Sequence, residues 1–262
     1  MILLRALLLV LAILPAPAVA QLTDVSQAMR IEVMPGWRRA DGTHVAGLHV
    51  RLSPGWKTYW RSAGAAGIAP QMDWRASRGA RSVTPAWPTP TVFGPAGQRS
   101  IGYDDDFVLP LLIATQGNGV VQLRGRLDLG VCADICLPAR VDVAMDLPAR
   151  GTPDRAIEAA LADRPARLDT VARCALSPIR DGFALTGEMD VPPQGDAEAV
   201  VFELPDPSVW VTDAAVVREG GRLRATSELL AQGGRLRNVD RSQVRITVIG
   251  SRGAVEIAGC KG

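Results

Sequence analysis

Four cysteines are the residues of this 262-residue chain whose type and spacing are best suited to chemistry. Two of them, Cys132 and Cys136, stand four positions apart, whereas Cys174 and Cys260 are separated by most of the C-terminal third of the sequence. An even number of cysteines in a chain that is predicted to be exported indicates disulfides rather than a thiolate metal site. We therefore expect two bonds, and the lengths of the loops that they close predict different roles.

The long-range pair, Cys174–Cys260, is predicted to be structural. Its bond would close a loop of roughly 85 residues, for which the chain-entropy model gives about 4.6 kcal/mol. A disulfide of that strength suits a small exported domain with a limited core. The alternative for this pair is a second redox couple.

The short-range pair, Cys132–Cys136, is predicted to be redox-active, because the same model gives its small loop only about 2 kcal/mol. Positions four apart in a straight strand lie roughly 13 Å apart, whereas a disulfide requires Cα atoms about 4.4–6.8 Å apart. Residues 133–135 must therefore turn the chain, as a hairpin tip or as one helical turn, and the flanking strand patterns favour the tip. Exposed disulfides at such tips are the labile ones.

Two other uses of the short-range pair stay open. Its sulfurs would suit Cu(I), but the soft side chains of Met72 and Met145 have no spacing relation to the cysteines. His44 and His49 are five apart, on opposite faces of a strand, and are interpreted as ordinary strand residues. A purely structural bond in an interaction scaffold is the third possibility. We predict no metal site and no cofactor.

Residues 1–20 have the features of a cleaved signal peptide. One positive charge, Arg5, accompanies an apolar run of roughly 13 residues, which is too short to span a bilayer. The small residues at 18–20 form a cleavage site and predict export of the mature chain, with an uncleaved anchor as the alternative. No later apolar stretch is long enough for membrane insertion. The formal net charge of +2 argues against a nucleic-acid partner.

Short strands are predicted for most of the remaining chain, because its 26 Gly and 19 Pro disfavour long helices. The predicted fold is all-β, with two immunoglobulin-like antiparallel β-sandwich domains at 21–150 and 169–262 joined by a short helical linker at 151–168. The linker helix is expected from Thr152 to about Asp163, with Thr152 as its N-cap. Strand patterns cover residues 31–34, 44–52, 107–113, 120–129 and 141–147, and then 183–189, 199–204, 222–226, 244–249 and 254–258.

Four motifs resemble those of a known family. They are G-V-C-A-D-I-C-L-P-A at 130–139, G-W-K-T-Y-W-R-S-A-G-A-A-G at 55–67, W-P-T-P at 87–90 and G-Y-D-D-D-F-V-L-P at 102–110. Together they resemble the N-terminal periplasmic domain of DsbD-type thiol:disulfide interchange proteins, and still more the related suppressor-of-copper-sensitivity (ScsB) proteins. The second predicted domain resembles the extra domain of ScsB-type exported regions.

The resemblance implies a periplasmic immunoglobulin-like domain with thiol–disulfide oxidoreductase activity. Cys132 and Cys136 match the family's redox cysteines, Phe93 matches the aromatic at the tip of the cap loop that shields them, and Tyr103 follows the cap. The implied partners are a membrane-embedded thiol reductase and thioredoxin-like periplasmic proteins. This loop has fewer residues between its cysteines than the family's loop. The membrane and thioredoxin-like domains of full-length members are not in this sequence, so we expect a separate electron source.

Carboxylates are expected around the short-range pair. Asp134 lies between the cysteines, and Asp105 belongs to an acidic run that we expect to approach through a neighbouring strand, with a solvated turn as the alternative. Such carboxylates raise the pKa of a thiol, and Arg140 would offset them. A group of aromatic residues is expected to serve packing rather than partner docking: Trp56, Tyr59 and Trp60.

Overall fold

The computed structural model of the protein describes residues 25–233 and 236–262, so the predicted signal peptide lies outside the described residues. The described chain begins with a short helix, α1 (Val25–Ala28), and continues mainly as β-strands, which confirms the all-β prediction. No helix within these two ranges is long and apolar enough to cross a membrane.

Ten strands form two facing antiparallel sheets in the N-terminal half. They are β1 (Met29–Arg38), β2 (Thr43–Leu52), β3 (Lys57–Gly64), β4 (Gln71–Asp73), β5 (Ala80–Pro85), β6 (Thr91–Phe93), β7 (Ser100–Tyr103), β8 (Phe107–Thr115), β9 (Val121–Cys132) and β10 (Cys136–Leu147). One sheet has the order β1-β2-β8-β5, and the other has the order β10-β9-β3-β7-β6, with β4 also paired to β9. Alternating side chains place Leu48 and Leu111 of the first sheet against Leu123 and Leu127 of the second in a shared core.

A second sandwich follows in the C-terminal half. Its strands are β11 (Ala166–Arg167), β12 (Ala172–Ile179), β13 (Gly182–Asp190), β14 (Ala199–Glu203), β15 (Val209–Val211), β16 (Ala215–Glu219), β17 (Arg222–Ala231), β18 (Arg245–Gly250), β19 (Gly253–Ala258) and β20 (Cys260–Lys261), with a 3-10 helix at Arg241–Gln243. The sheet orders are β11-β19-β18-β14 and β15-β17-β13-β12-β20, with β16 on β17. Leu185 and Leu229 meet Ile246 and Ile257 in its core. The immunoglobulin-like architecture is thereby confirmed, although two short pairings, β11–β19 and β12–β20, are parallel.

The helix between the sandwiches, α2 (Arg155–Ala162), starts later than predicted. The prediction of Thr152 as N-cap is wrong, because Asp154 accepts the backbone N–H groups of Ala156 and Ile157 at 2.8 and 3.2 Å. A carboxylate at that position also interacts favourably with the positive end of the helix dipole. Ile157 is fully buried over Gly47, on the outer face of β2. The helix therefore packs on the first sandwich, while the domain boundaries proposed above stay a prediction.

The two sandwiches meet through β3. Trp60, which is fully buried, packs with Tyr103 of β7 against Val201 and Ile249 of the second half. Beside it, Arg61 reaches across the junction to carboxylates of the second half, described below. The strand that carries Trp60 and Arg61 begins at Lys57, beside the end of β9, and so connects this junction with the Cys132 hairpin.

Candidate functional site

Cys132 and Cys136 are joined by a disulfide across the tip of the β9–β10 hairpin. The two cysteines are direct cross-strand partners at the end of a register that continues to Val121 and Leu147, and their Cα atoms are 4.1 Å apart. In the three-residue tip, the Ala133 backbone N–H donates to the carbonyl of Ile135 at 2.9 Å. The prediction of a hairpin tip, rather than a helical turn, is confirmed.

The two sulfurs of this bond belong to residues of very different exposure. Cys132 is only 4% exposed, whereas Cys136 is exposed together with the whole tip. Ile135, at the tip, exposes 55% of its surface. An attacking thiolate needs access to a sulfur along the S–S axis, and the residue that offers such access is Cys136. The buried Cys132 would then be the leaving group.

Tyr59 supplies a polar contact to the exposed cysteine. Its hydroxyl lies 4.0 Å from Cys136 Sγ, and its ring packs with Cys132 and Ala63 in a small buried cluster. Burial raises the pKa of the Tyr59 phenol, so it keeps its proton and can donate to sulfur at neutral pH. The packing role expected for Tyr59 omitted this contact, because the pairing of distant strands cannot be read from residue types.

Lys57 is a second residue that the sequence reasoning missed. It is the direct cross-strand partner of Cys132 in the β3–β9 ladder, two positions before Tyr59 on the same face of β3. Its ammonium lies 4.9 Å from the ring centroid of Phe93. Lys57 thus provides the positive charge near the cysteines that the sequence analysis assigned to Arg140. The Arg140 guanidinium instead donates to Asp128 at 2.7 Å.

Phe93, the predicted cap residue, is half-buried at the end of β6 and approaches the site through Lys57. On another side, Ala69 packs against the Tyr59–Cys132 cluster, and Ile68 lies over Gly130. A Cβ on Gly130 would come within 2.8 Å of Ile68, so this close approach requires glycine. The segment at Ile68 and Ala69 therefore borders the buried side of the disulfide, whereas Phe93 contacts its neighbour Lys57, and the capping role of Phe93 stays a prediction.

Tyr103 lies next to the site but is directed away from it. It pairs in register with Thr58, its ring stacks on Phe107 with centroids 3.8 Å apart, and its hydroxyl donates to the Pro88 carbonyl at 2.9 Å. Burial raises the pKa of this phenol well above its usual value. Tyr103 therefore lies on the face of the sheet opposite to Cys132, and its hydroxyl is occupied by the Pro88 carbonyl.

The acidic residues around the pair are solvent-exposed. Asp134 stands at the tip between the cysteines, and Asp105 lies in the turn between β7 and β8. The next residue, Asp106, accepts the Leu52 backbone N–H at 2.9 Å. This turn directly follows Tyr103, which is paired with Thr58 in an antiparallel register. Its first residue therefore lies opposite Lys57, the residue before Thr58. The influence of Asp105 and Asp134 on the thiols stays a prediction.

The soft side chains considered for copper lie far from the cysteines. Met72 and Met145 are paired with Leu127 and Leu123, which are five and nine positions before Cys132 in β9. Those offsets correspond to roughly 17 and 30 Å along a strand. Among residues 25–233 and 236–262, no group of three or more His, Cys, Asp or Glu side chains is arranged to hold a metal ion.

The second disulfide joins Cys174 of β12 to Cys260 of β20, with Cα atoms 5.4 Å apart. Both cysteines are buried, at 3% and 7% exposure, in the core of the second sandwich. This environment contrasts with the half-exposed pair at the hairpin tip. The structural role of the bond stays a prediction that the buried surroundings favour.

The fold and the hairpin define a protein of two β-sandwiches with a partly exposed disulfide at the tip of a hairpin. Residues 20–148 match the model of the family "Thiol:disulfide interchange protein DsbD, N-terminal". The N-terminal half of the chain therefore belongs to the family of DsbD N-terminal domains.

A solved structure extends the likeness in fold to both halves. The crystal structure of the N-terminal periplasmic domain of ScsB from Proteus mirabilis superposes with a TM-score of 0.68 at 21% identity. The match covers 90% of this chain and 94% of that one. No curated protein sequence matches the chain.

Proposed function

We propose that the protein is a periplasmic thiol–disulfide exchange protein that relays electrons through Cys132 and Cys136. Its donor would be a membrane-embedded thiol reductase, and its acceptors would be thioredoxin-like or other exported proteins. The observation that carries this proposal is the difference in exposure within one disulfide, between the 4% of Cys132 and the open position of Cys136. Membership of the DsbD N-terminal family supports the same chemistry.

The exchange begins when a thiolate of the donor attacks Cys136 Sγ along the S–S axis. A donor–Cys136 bond forms, the Cys132–Cys136 bond breaks, and Cys132 leaves as a thiolate. The second thiolate of the donor then attacks the donor's first sulfur, which is bonded to Cys136. The donor disulfide forms, and Cys136 leaves as a thiolate. Two electrons have then passed to the pair, which takes up two protons, and the donor has become a disulfide. Reduction of a client disulfide follows the same steps with the roles reversed.

Two residues of β3 are placed to support these steps. Lys57, opposite Cys132, offers a positive charge to the leaving thiolate, and a nearby cation lowers the pKa of a thiol. Tyr59 offers a hydroxyl to Cys136 Sγ, which would stabilise the sulfur when it carries negative charge. The two groups would act on different sulfurs of the same bond.

Reduction potential and trapping together test the proposal. We expect the Cys132–Cys136 couple to have a potential above roughly −300 mV, the range below which structural disulfides lie. With Cys132→Ser, the exposed Cys136 should form a stable mixed disulfide with a thioredoxin-like partner, while Cys136→Ser should trap little. The Cys174–Cys260 bond serves as internal control. A potential below that limit, with no trapped species, would instead support the scaffold alternative.

Copper binding is tested on the same material. The copper alternative requires tight Cu(I) binding by the reduced pair and its loss in either cysteine variant. Competition against a Cu(I) chelator measures this directly. If copper binds tightly while the trapping variants capture no partner, the proposed relay is rejected in favour of copper handling.

A further inference from the structure

A cleft of about 540 Å³ lies at the junction of the two sandwiches, away from the cysteine hairpin. One wall comes from the first sandwich and includes Pro85, Trp87 and Leu112. The opposite wall comes from the chain that follows α2 and from the second sandwich. The volume of the cleft falls within the range of small-molecule sites, which combine an apolar wall with a few convergent polar groups.

The charged lining of this cleft is dominated by guanidinium groups. The four arginines that line it are Arg61, Arg164, Arg167 and Arg245. Glu256 is the carboxylate that lines the cleft, and Glu203, outside the lining, is bound by the same Arg61. Even when Glu203 is counted with the lining groups, four positive charges stand against two negative ones, an excess of two positive charges.

The two carboxylates are already satisfied by Arg61. Its Nε and Nη2 donate to the two oxygens of Glu203 at 2.8 and 3.0 Å, and Nη2 also donates to Glu256 at 2.7 Å. All three side chains are at least four-fifths buried. The remaining arginines are therefore surplus to the ion pairs that join the two sandwiches.

Those remaining arginines keep unused donors. Arg167 forms a 3.5 Å ion pair with Glu256, and Arg245 forms ion pairs with Glu256 at 3.8 Å and Glu203 at 4.0 Å. Within the described residues neither arginine side chain donates a hydrogen bond, so these contacts leave their N–H groups available. Arg164 donates from Nε to the Leu161 carbonyl, and its two terminal nitrogens have no hydrogen bond to residues 25–233 or 236–262. A guanidinium presents a planar fork of N–H groups that matches the two oxygens of a carboxylate or a phosphate.

We propose that this cleft binds a small organic anion that carries at least two carboxylate or phosphate groups. The forks of Arg167 and Arg245 take the oxyanions, and the wall at Pro85 and Trp87 packs against the carbon skeleton. Because the ligand contacts both sandwiches, its binding stabilises their junction. The site is separate from the disulfide and does not depend on the function proposed for it.

Calorimetric titration of the full-length mature protein with citrate tests the proposal, with inorganic phosphate as a second probe. We expect saturable citrate binding at low ionic strength and a higher melting temperature. The double variant Arg167→Gln/Arg245→Gln should weaken citrate binding at least tenfold. The matched control is Arg51→Gln, which removes an arginine about as exposed as Arg245, with a 3.4 Å ion pair to Glu32 outside the cleft. It should leave binding unchanged.

Several results would overturn the proposal. Equal citrate affinity in the double variant and the wild type would place the binding elsewhere. If sodium chloride of the same ionic strength raised the melting temperature equally, the effect of citrate would be charge screening and not binding. Binding of an acidic peptide but not of citrate or phosphate would assign the cleft to a protein partner. Arg167→Gln alone guards against misfolding, because this side chain is 84% exposed, and it should still weaken binding. Measurement of the Cys132–Cys136 potential in each variant keeps this test independent of the redox proposal.

Discussion

Lys57 and Cys132 are direct cross-strand neighbours, and the lysine ammonium lies over the ring of Phe93. Side chains directly opposite each other in an antiparallel pair have Cβ atoms about 4.5–5.5 Å apart, which is within reach of a lysine amine. In the disulfide form neither sulfur is charged, so the ring of Phe93 is the available partner. Reduction creates a thiolate that competes for the same ammonium.

We expect Lys57→Met to raise the pKa of the Cys132 thiol by about one unit, because a nearby cation favours the thiolate. The pH dependence of alkylation by iodoacetamide in a Cys136→Ser background measures this shift. Lys57→Arg retains the charge and serves as the control. An alkylation profile that is the same with Met and with Lys at this position would contradict the role given to Lys57.

Tyr59→Phe removes the hydroxyl next to Cys136 Sγ and keeps the packed ring. Loss of one such hydrogen bond corresponds to about 0.5–1.5 kcal/mol, or roughly a two- to tenfold slower reduction by a small dithiol. Because burial raises the pKa of this phenol, the difference between the two proteins should persist from pH 7 to about pH 9. Stopped-flow reduction at several pH values checks this. Equal rates would mean that the contact serves packing alone.

Phe93→Ala and Ile68→Ala distinguish two candidate shields of the disulfide, one beside Lys57 and one over Gly130. If Phe93 is the cap, its removal should make the reduced pair react several-fold faster with hydrogen peroxide, while Ile68→Ala leaves the rate near that of the wild type. The opposite result would assign the shielding to the segment at 67–69, which lies over Gly130. Unchanged rates in both variants would show that neither Phe93 nor the segment at 67–69 shields the reduced cysteines.

Arg61→Met is expected to lower the free energy of unfolding by about 3 kcal/mol, because it leaves two largely buried carboxylates without their main partner. Urea denaturation measures the loss. Adding Glu203→Gln and Glu256→Gln to the same variant should recover part of it, since the uncompensated charges disappear. A triple variant less stable than Arg61→Met would show that the carboxylates are stabilised by other groups.

The cysteine hairpin could be predicted from the sequence because its constraint is local. A disulfide between residues four positions apart requires the chain to turn, and strand patterns on both sides predict that the turn is the tip of a hairpin. The predicted strands likewise follow from period-2 alternation, which depends on neighbouring residues only. The helix start was misplaced by two residues because Thr152 and Asp154 are both good caps, and the choice depends on the local backbone geometry.

The surroundings of the disulfide could not be predicted in the same way. Lys57 and Tyr59 reach it through the pairing of β3 with β9, more than 70 positions away, and a shift of one residue in that register would turn them to the other face. Arg61 contacts carboxylates 142 and 195 positions further along the chain. Such contacts depend on how two sandwiches meet, and a single sequence carries no local signal for that arrangement.

Strand β3 has a practical consequence for experiments on isolated pieces of this protein. Shortening the chain to its first 150 residues would uncover Trp60, a large apolar side chain that is fully buried here. It would also remove the anionic partners of Arg61, one residue further along the same strand. A chain truncated in this way would expose an apolar ring and leave Arg61 without its carboxylates, so measurements on the hairpin disulfide should keep both sandwiches. The unit of experiment for this disulfide is the pair of sandwiches.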